Sequence, residues 1–460
     1  MKVDELSKKE LISLVEKLLT SNAQLTKTVE VLTNRVAELE EQVRVLQSKK
    51  NSGNSSLPPS TDQALPMKNQ SLREKSGRKK GGQSGHKGHS LKMSDTPDSI
   101  IEHQATFCQV CGQDLSDCSK VLKERRQVVD LPVISPVFTE HRVYSTTCHC
   151  GHLAKGSFPA RVKAPIQYGA GVESMAAYLS VRQYLPYQRM KECFWDLFGI
   201  TISQGSLVSA IRGMAVKAKP AYDLIRENIL NAKVVGTDET GTKVNGTKAW
   251  FWTWQNPKNT LISLDGSRGF KAIESVFADG LPGSVLVSDC WAAQLKTPAV
   301  THQLCIAHLL RELNFFIQLY DSSWAKNLKA LLLEAIRYKP KIQDYSSQQP
   351  FTQQLHKRLD HLIDFEIESQ PTKIKPFHKR LRKNRKHLFP FLYYKEVPAD
   401  NNASERAIRN VKVKQKISGH FVSWKSAVSF AILRSIIDTS IKNNTNVLYN
   451  LRVVAQCYPE

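Results

Sequence analysis

Leu11, Leu18, Leu25, Leu32, Leu39 and Leu46 recur every seven residues, and Val15, Asn22, Val29, Val36 and Val43 stand three positions before the last five. A seven-residue apolar repeat confines a segment to one long helix with a narrow seam. β-Branched residues at a with leucine at d favour a parallel two-stranded coiled coil, and a lone polar a residue, here Asn22, sets its register at some cost in stability. A helix packed on its own domain carries a broader apolar stripe. Residues 1–50 are therefore read as a leucine-zipper-like coiled coil that pairs two copies of the chain.

The periodicity stops at "KKNSGNSSLPPS", where Gly, Ser and a Pro pair punctuate the chain. The following "MKNQSLREKSGRKKGGQSGHKGHS" is almost free of apolar residues and cannot bury enough surface to fold alone. Residues 51–100 read as a basic arm, with Lys79, Lys80 and Lys87 placed to lie along phosphates; a solvated linker has the same composition. The whole chain shares this bias. Its 65 Lys and Arg against 42 Asp and Glu leave a formal charge of +23, which favours a polyanionic partner. No apolar run approaches a membrane span, and "MKVDELSKKELISLVEK" is charged throughout, unlike a secretory leader. The expectation is a soluble cytoplasmic protein that meets nucleic acid and no membrane.

Nine cysteines in 460 residues do not suggest a disulfide framework. Cys108 and Cys111 form a CxxC pair, Cys148 and Cys150 a CxC pair, and "ERRQVVDLPVISPVFTEHRVYS" between them reads as strands and turns. Two such knuckles suit a tetrahedral structural zinc, so residues 101–164 read as a zinc-binding β domain. His149 or His152 can replace one ligand, and Cys118 has no close partner. Residues 165–230 read as helical. Within them "YQRMKECFWDLFGITISQGSLVSAIRGM" gives a helix, a turn at Gly199 and a second helix from Ser203, with helix-turn-helix spacing.

From residue 231 the texture turns to strands. "KVVGT" and "SVLVS" each run into an aspartate, Asp238 and Asp289. Three β segments, a helix and a fourth β segment match the opening half of an RNase H-like fold, in which the first and fourth strands lie side by side. A third carboxylate then has to come from a later helix, and Glu405 in "NNASERAIRNV" meets that need, with Arg406 facing outward. Clustered carboxylates repel one another as core residues but serve as oxygen ligands to two Mg²⁺ or Mn²⁺ ions in phosphodiester chemistry. Each acid also has an ordinary reading. Asp238 fits a turn cap with Glu239 as the ligand, Asp289 fits a cap for a helix opening at Trp291, and Glu405 fits an ion pair with Arg409.

With these residues in place, the chain resembles the IS66 family of bacterial insertion-sequence transposases nearly end to end. "NSSLPPS" and "RKKGGQSGHKGH" resemble the family's linker, and "CQVCG…CHCG" its zinc-binding domain. "GTDETGTKV…WFWTW", "LVSDCWAAQ", "QLCIAHLLREL" and "DNNASERAIRNVKVKQKISGHF" resemble successive catalytic blocks. The resemblance implies a DDE triad at Asp238, Asp289 and Glu405 and a DNA-contacting cation at Lys412, beside Arg406 and Arg409. It implies a structural Cys-x-x-His element at Cys305 and His308, and accessory proteins from the same element. Val422 and Ser426 depart from the family's pattern after "ISG". The expected whole is a multidomain α+β chain: coiled coil, arm, zinc domain, helical domain, and an RNase H-like α/β catalytic domain over 231–440. A helical insertion is expected near 324–398 and a tail at 441–460.

Overall fold

The computed structural model describes residues 7–47, 54–55, 85, 91–345, 350–364 and 371–457, so Lys79, Lys80 and Lys87 lie outside the described residues. The chain divides into two compact units, one of residues 1–70, 141–192 and 202–460, the other of residues 71–140 and 193–201. In the larger unit the heptad segment is a single helix, α1 (Lys8–Gln47). Its first turn is closed by Glu10, which accepts from the Ser7 N–H at 2.9 Å and the Ser7 hydroxyl at 2.7 Å. The helix buries none of its own side chains.

The smaller unit contains, among its described residues, one isolated bridge between Phe107 and Asp114. The strands expected between the cysteine pairs are not formed before Ser145. Val128, Leu131, Val133 and Val137 are about nine-tenths exposed. An alternating apolar pattern becomes a strand only where a neighbouring strand takes its backbone groups and something covers its apolar face. In the larger unit a short antiparallel hairpin follows, β1 (Ser145–Thr147) with β2 (Leu153–Lys155).

Next come α2 (Ala170–Ala177), a π turn at Tyr178–Arg182, α3 (Tyr187–Phe198), α4 (Gln204–Lys217) and α5 (Lys219–Leu230). Gly199 has φ +63° just past the end of α3, and the Ser203 hydroxyl accepts the Ser206 N–H at 3.0 Å to open α4. The expected turn and helix start fall at these positions.

The remainder is built on a five-stranded sheet. In chain order its strands are β3 (Val234–Val244), β4 (Thr247–Gln255), β5 (Thr260–Asp265), β6 (Leu281–Ser288) and β7 (Ala299–Leu304). In space they run β5-β4-β3-β6-β7, antiparallel between β5, β4 and β3 and parallel between β3, β6 and β7. The first and fourth strands are therefore neighbours, as the residue pattern predicts. Short helices α6 (Phe270–Glu274) and α7 (Ala292–Leu295) flank β6, and α8 (Ile306–Tyr320) leaves β7. Then follow α9 (Ser323–Tyr338), α10 (Pro350–Ile363), α11 (Ile374–Lys383), α12 (Asn402–Ser418), α13 (Trp424–Lys442) and α14 (Val447–Gln456).

Both sheet edges are covered. At β5, Ser435 of α13 accepts the Ile262 N–H at 2.8 Å and Thr439 accepts the Thr260 N–H at 3.1 Å. At β7, the Gln303 amide donates to Leu388 O at 3.1 Å and accepts the Phe391 N–H at 2.8 Å. Side chains thus satisfy backbone groups that an open edge would present to another chain. Trp252, Trp254, Phe251 and Leu286 form the buried centre.

Candidate active site

β3 and β6 pair in parallel only as far as Gly236 opposite Val287. Asp238 stands two residues beyond that pair and Asp289 follows the last residue of β6, so both carboxylates leave the sheet where the strands part. Asp238 does not end its strand, because β3 continues to Val244 through its pairing with β4. Its carboxyl is held well above the usual range, first by burial and then by the charges of Asp289 and Glu239. It accepts the Glu239 N–H at 2.9 Å.

The third acid arrives through an interlock around Gly236. The Asn401 amide donates to Thr237 O at 2.6 Å, the Ser404 hydroxyl donates to Asn401 Oδ1 at 2.6 Å, and the Gln255 amide reaches Ser404 at 3.4 Å. A Cβ on Gly236 would lie 2.6 Å from the Ser404 and Gln255 side chains. The start of α12 is thereby set directly on β3, and Glu405 falls in its first turn. Lys442 at the end of α13 donates to Gln255 Oε1 at 2.8 Å and extends the same chain of contacts.

Glu405 and Asp289 meet on either side of one imidazole. His308 Nδ1 is 2.8 Å from Asp289 Oδ1, and His308 Nε2 is 3.6 Å from Glu405 Oε1. Burial by itself would lower the His308 pKa, but the Asp289 carboxylate and the Cys305 thiol outweigh it and raise it to about 11. Arg311, one turn along α8, donates to both Glu405 oxygens at 3.1 and 3.4 Å. Arg409 is farther, 3.7 Å from Glu405 and largely exposed, so the pairing within α12 is the weaker one. Asp289 does not cap α7: that helix has no side-chain cap, and Asp289 Oδ1 faces the His308 ring instead.

A divalent cation fits this donor set. Asp238 is destabilised as an anion by burial and by the charges of Asp289 and Glu239, and carboxylate oxygens are the ligands magnesium takes. Glu239 is engaged elsewhere. Its Oε1 accepts from Arg268 at 2.8 and 3.0 Å and its Oε2 from Gln294 at 2.7 Å, and the Trp291 ring lies 3.9 Å from the Arg268 guanidinium carbon. That arrangement braces the loop bearing Asp289. Arg311, Arg268 and Gln294 went unmarked in the sequence reading. A signal for Arg311 was present, since "HLLREL" puts it one helical turn after His308.

The other expected residues are placed as follows. Arg406 and Arg409 are exposed on α12, and Lys412 donates to Gly241 O at 3.0 Å. Ser426, the departure on α13, accepts from Arg212 of α4 at 3.0 Å. Each cysteine pair forms a tight turn of its own. Gly112 N–H donates to Cys108 O at 2.9 Å, with Gly112 at φ +72°. Gly151 N–H donates to Cys148 O at 2.8 Å, with Gly151 at φ +84°. The Cys108 thiol is lowered chiefly by the Cys111 and Val110 N–H groups, and the Cys148 thiol chiefly by that of Cys150. Backbone donors of this kind favour thiolates.

Two acids stand where the parallel pair of the sheet parts, and a late helix carries in a third. Among known families, the transposase IS66 family matches residues 165–429, more than half of the chain. The chain belongs to that family. A family of unknown function (DUF6444) matches residues 2–92. An uncharacterized protein of Sinorhizobium fredii, y4jD, is 23% identical over 380 residues, which cover 75% of this chain and 73% of that protein. Among the described residues no helix is long and apolar enough to cross a membrane.

Proposed function

We propose that this transposase binds the terminal inverted repeats of its own insertion sequence, cleaves strands at their ends and joins the freed 3′-OH groups to target DNA. The observation that carries the reading is Asp238 on β3 and Asp289 just past the end of β6, both placed where these adjacent strands part. The strand order supports an RNase H-like catalytic domain. Asp238, Asp289 and Glu405 would hold two Mg²⁺ or Mn²⁺ ions, which when bound activate the attacking oxygen and stabilise the leaving one. The interlock of Asn401, Ser404 and Gln255 keeps Glu405 in register with Asp238. Arg311 and His308 balance the charge of Glu405.

Exposed Arg406, Arg409 and Lys412 continue the acid-bearing helix as a cationic face for phosphates, and Lys79, Lys80 and Lys87 extend the hold on DNA from the arm. Each knuckle, Cys108 with Cys111 and Cys148 with Cys150, is a pair of thiolate donors suited to structural zinc. The α3–α4 pair reads the ends, and α1 pairs two subunits so that both ends are handled together. The protein acts in the bacterial cytoplasm, on the nucleoid, with accessory proteins of its element.

The test is cleavage and joining of labelled DNA carrying the element's ends, with Mg²⁺ or with EDTA, for wild type and Asp289→Asn. Joining that requires Mg²⁺ and disappears in the variant is the expected result. Cleavage without joining assigns a hydrolytic nuclease instead, and joining by Asp289→Asn removes the metal assignment.

A further inference from the structure

The corner where α8 leaves β7 holds donors of a second chemical kind. Asp289, Cys305 and His308 each offer a ligand atom, and the three atoms lie within 4.8 Å of one another. Cys305 directly precedes α8 and His308 lies in its first turn, so the helix sets their spacing. Asp289 is tied to the same point, because Cys305 N–H donates to Ser288 O at 2.9 Å. His308 Nδ1 stands 2.8 Å from Asp289 Oδ1, and both atoms are buried. Metal ligands must give up their protons, so a cation bound here takes the place of the proton this pair shares.

The surroundings are those of ligands. Asn401 N–H donates to Cys305 Sγ at 3.2 Å and fixes the thiol in place. His308 turns its other nitrogen, Nε2, toward Glu405. A carboxylate on the far nitrogen is the usual means of orienting a metal-bound imidazole.

We propose that Asp289, Cys305 and His308 form a binding site for a thiophilic divalent cation of the zinc class, sharing Asp289 with the all-carboxylate site. Thiolate and imidazole select zinc or cobalt over magnesium. Three protein ligands leave one tetrahedral position open. A cation here takes Asp289 away from the hard-cation site, so zinc opposes magnesium. Only that competition rests on the transposase reading; the site itself stands on the three donors.

Cobalt(II) is the probe, titrated into the full chain as wild type, His308→Gln and Cys305→Ser, with bound metal counted by equilibrium dialysis and the sulfur-to-cobalt absorption recorded. The knuckle cysteines also take cobalt, so the reading is the difference from wild type. Both variants are expected to bind one cobalt fewer per chain and to lose part of the sulfur-to-cobalt absorption. Equal stoichiometry with unchanged absorption in all three proteins overturns the site. Cys305 is buried, so His308→Gln, at a partly exposed position, carries the test if the serine variant does not fold. No DNA is present, so a failure here and a failure of strand transfer are read separately.

Discussion

Gly236 shows how one absent methyl group positions a helix. The nearest side-chain atoms to its missing Cβ belong to Gln255, Ser404 and Asn401, at 2.6, 2.6 and 2.9 Å. Gly236→Ala must push α12 from β3, and overpacking of this kind costs about 1 to 3 kcal/mol. We expect a lower urea midpoint and a fall in strand transfer larger than the stability loss explains, because Glu405 rides on the displaced helix. Full activity with reduced stability would show that the interlock does not set Glu405. A second residue-scale effect concerns pH. Burial, aided by the charges of His302 and Lys386, pushes His387 down to about 4, and its ring packs edge-on against His302 at 5.2 Å. The unfolded chain titrates this group near about 6.5. Between those values the unfolded state binds more protons, so the stability contributed is complete above the window and is lost as pH falls through it. His387→Gln is expected to flatten the decline of the urea midpoint over that range; an unaltered slope would assign it to other groups.

At the scale of elements, α13 joins the helical region to the sheet. Arg434 is 1% exposed, yet it donates to Val181 O at 3.2 Å and the Tyr184 hydroxyl at 2.8 Å, and it pairs with Asp438. Tyr184 adopts φ +60° and donates to Asn410 of α12 at 2.8 Å. A left-handed tyrosine persists only where its surroundings over-determine it, and here Arg434 and, through Asn410, α12 both hold its hydroxyl. The network couples the segment after α2 to the helix that carries Glu405. Removing one member of a buried ion pair strands the other, at a cost of about 3 to 5 kcal/mol. Arg434→Ala is therefore expected to lose that much in urea unfolding, whereas Arg434→Ala with Asp438→Ala should recover part of it. Equal losses in the single and double variants would deny the coupling.

Across the whole molecule, charge opposes the pairing of two copies and the seam of α1 favours it. α1 is a 40-residue helix whose Leu18, Leu25 and Leu32 are each about 60% exposed. Helical propensity alone is marginal in water, and a seam this regular gains its stability by burying leucine against a like seam. A net charge of +23 repels a second copy unless such a seam, or DNA, holds the pair. Leu25→Glu with Leu32→Glu is expected to convert a dimer to a monomer in sedimentation velocity at moderate salt without changing the urea midpoint of the sheet domain. A wild type that sediments as a monomer across the micromolar range would remove the zipper assignment.

The sequence by itself determined whatever depends on local pattern. The heptads dictate α1, Gly199 and Ser203 bound the α3–α4 turn, and the two apolar runs ending at aspartate mark the strands that become neighbours. Those signals are short-range, because periodicity, caps and turn chemistry act within a few residues. The tertiary structure alone decided what the acids meet. No local rule tells that Arg311 and His308 face Glu405, that Arg268 and Gln294 occupy Glu239, or that Asn401 anchors α12 to β3. Such contacts join residues far apart in the chain, and they depend on which faces are buried together. The same reason explains the misread segment between the cysteine pairs. Val128 to Val137 carries an apolar alternation that local rules read as strand, but a strand exists only where another strand and a cover exist to meet it.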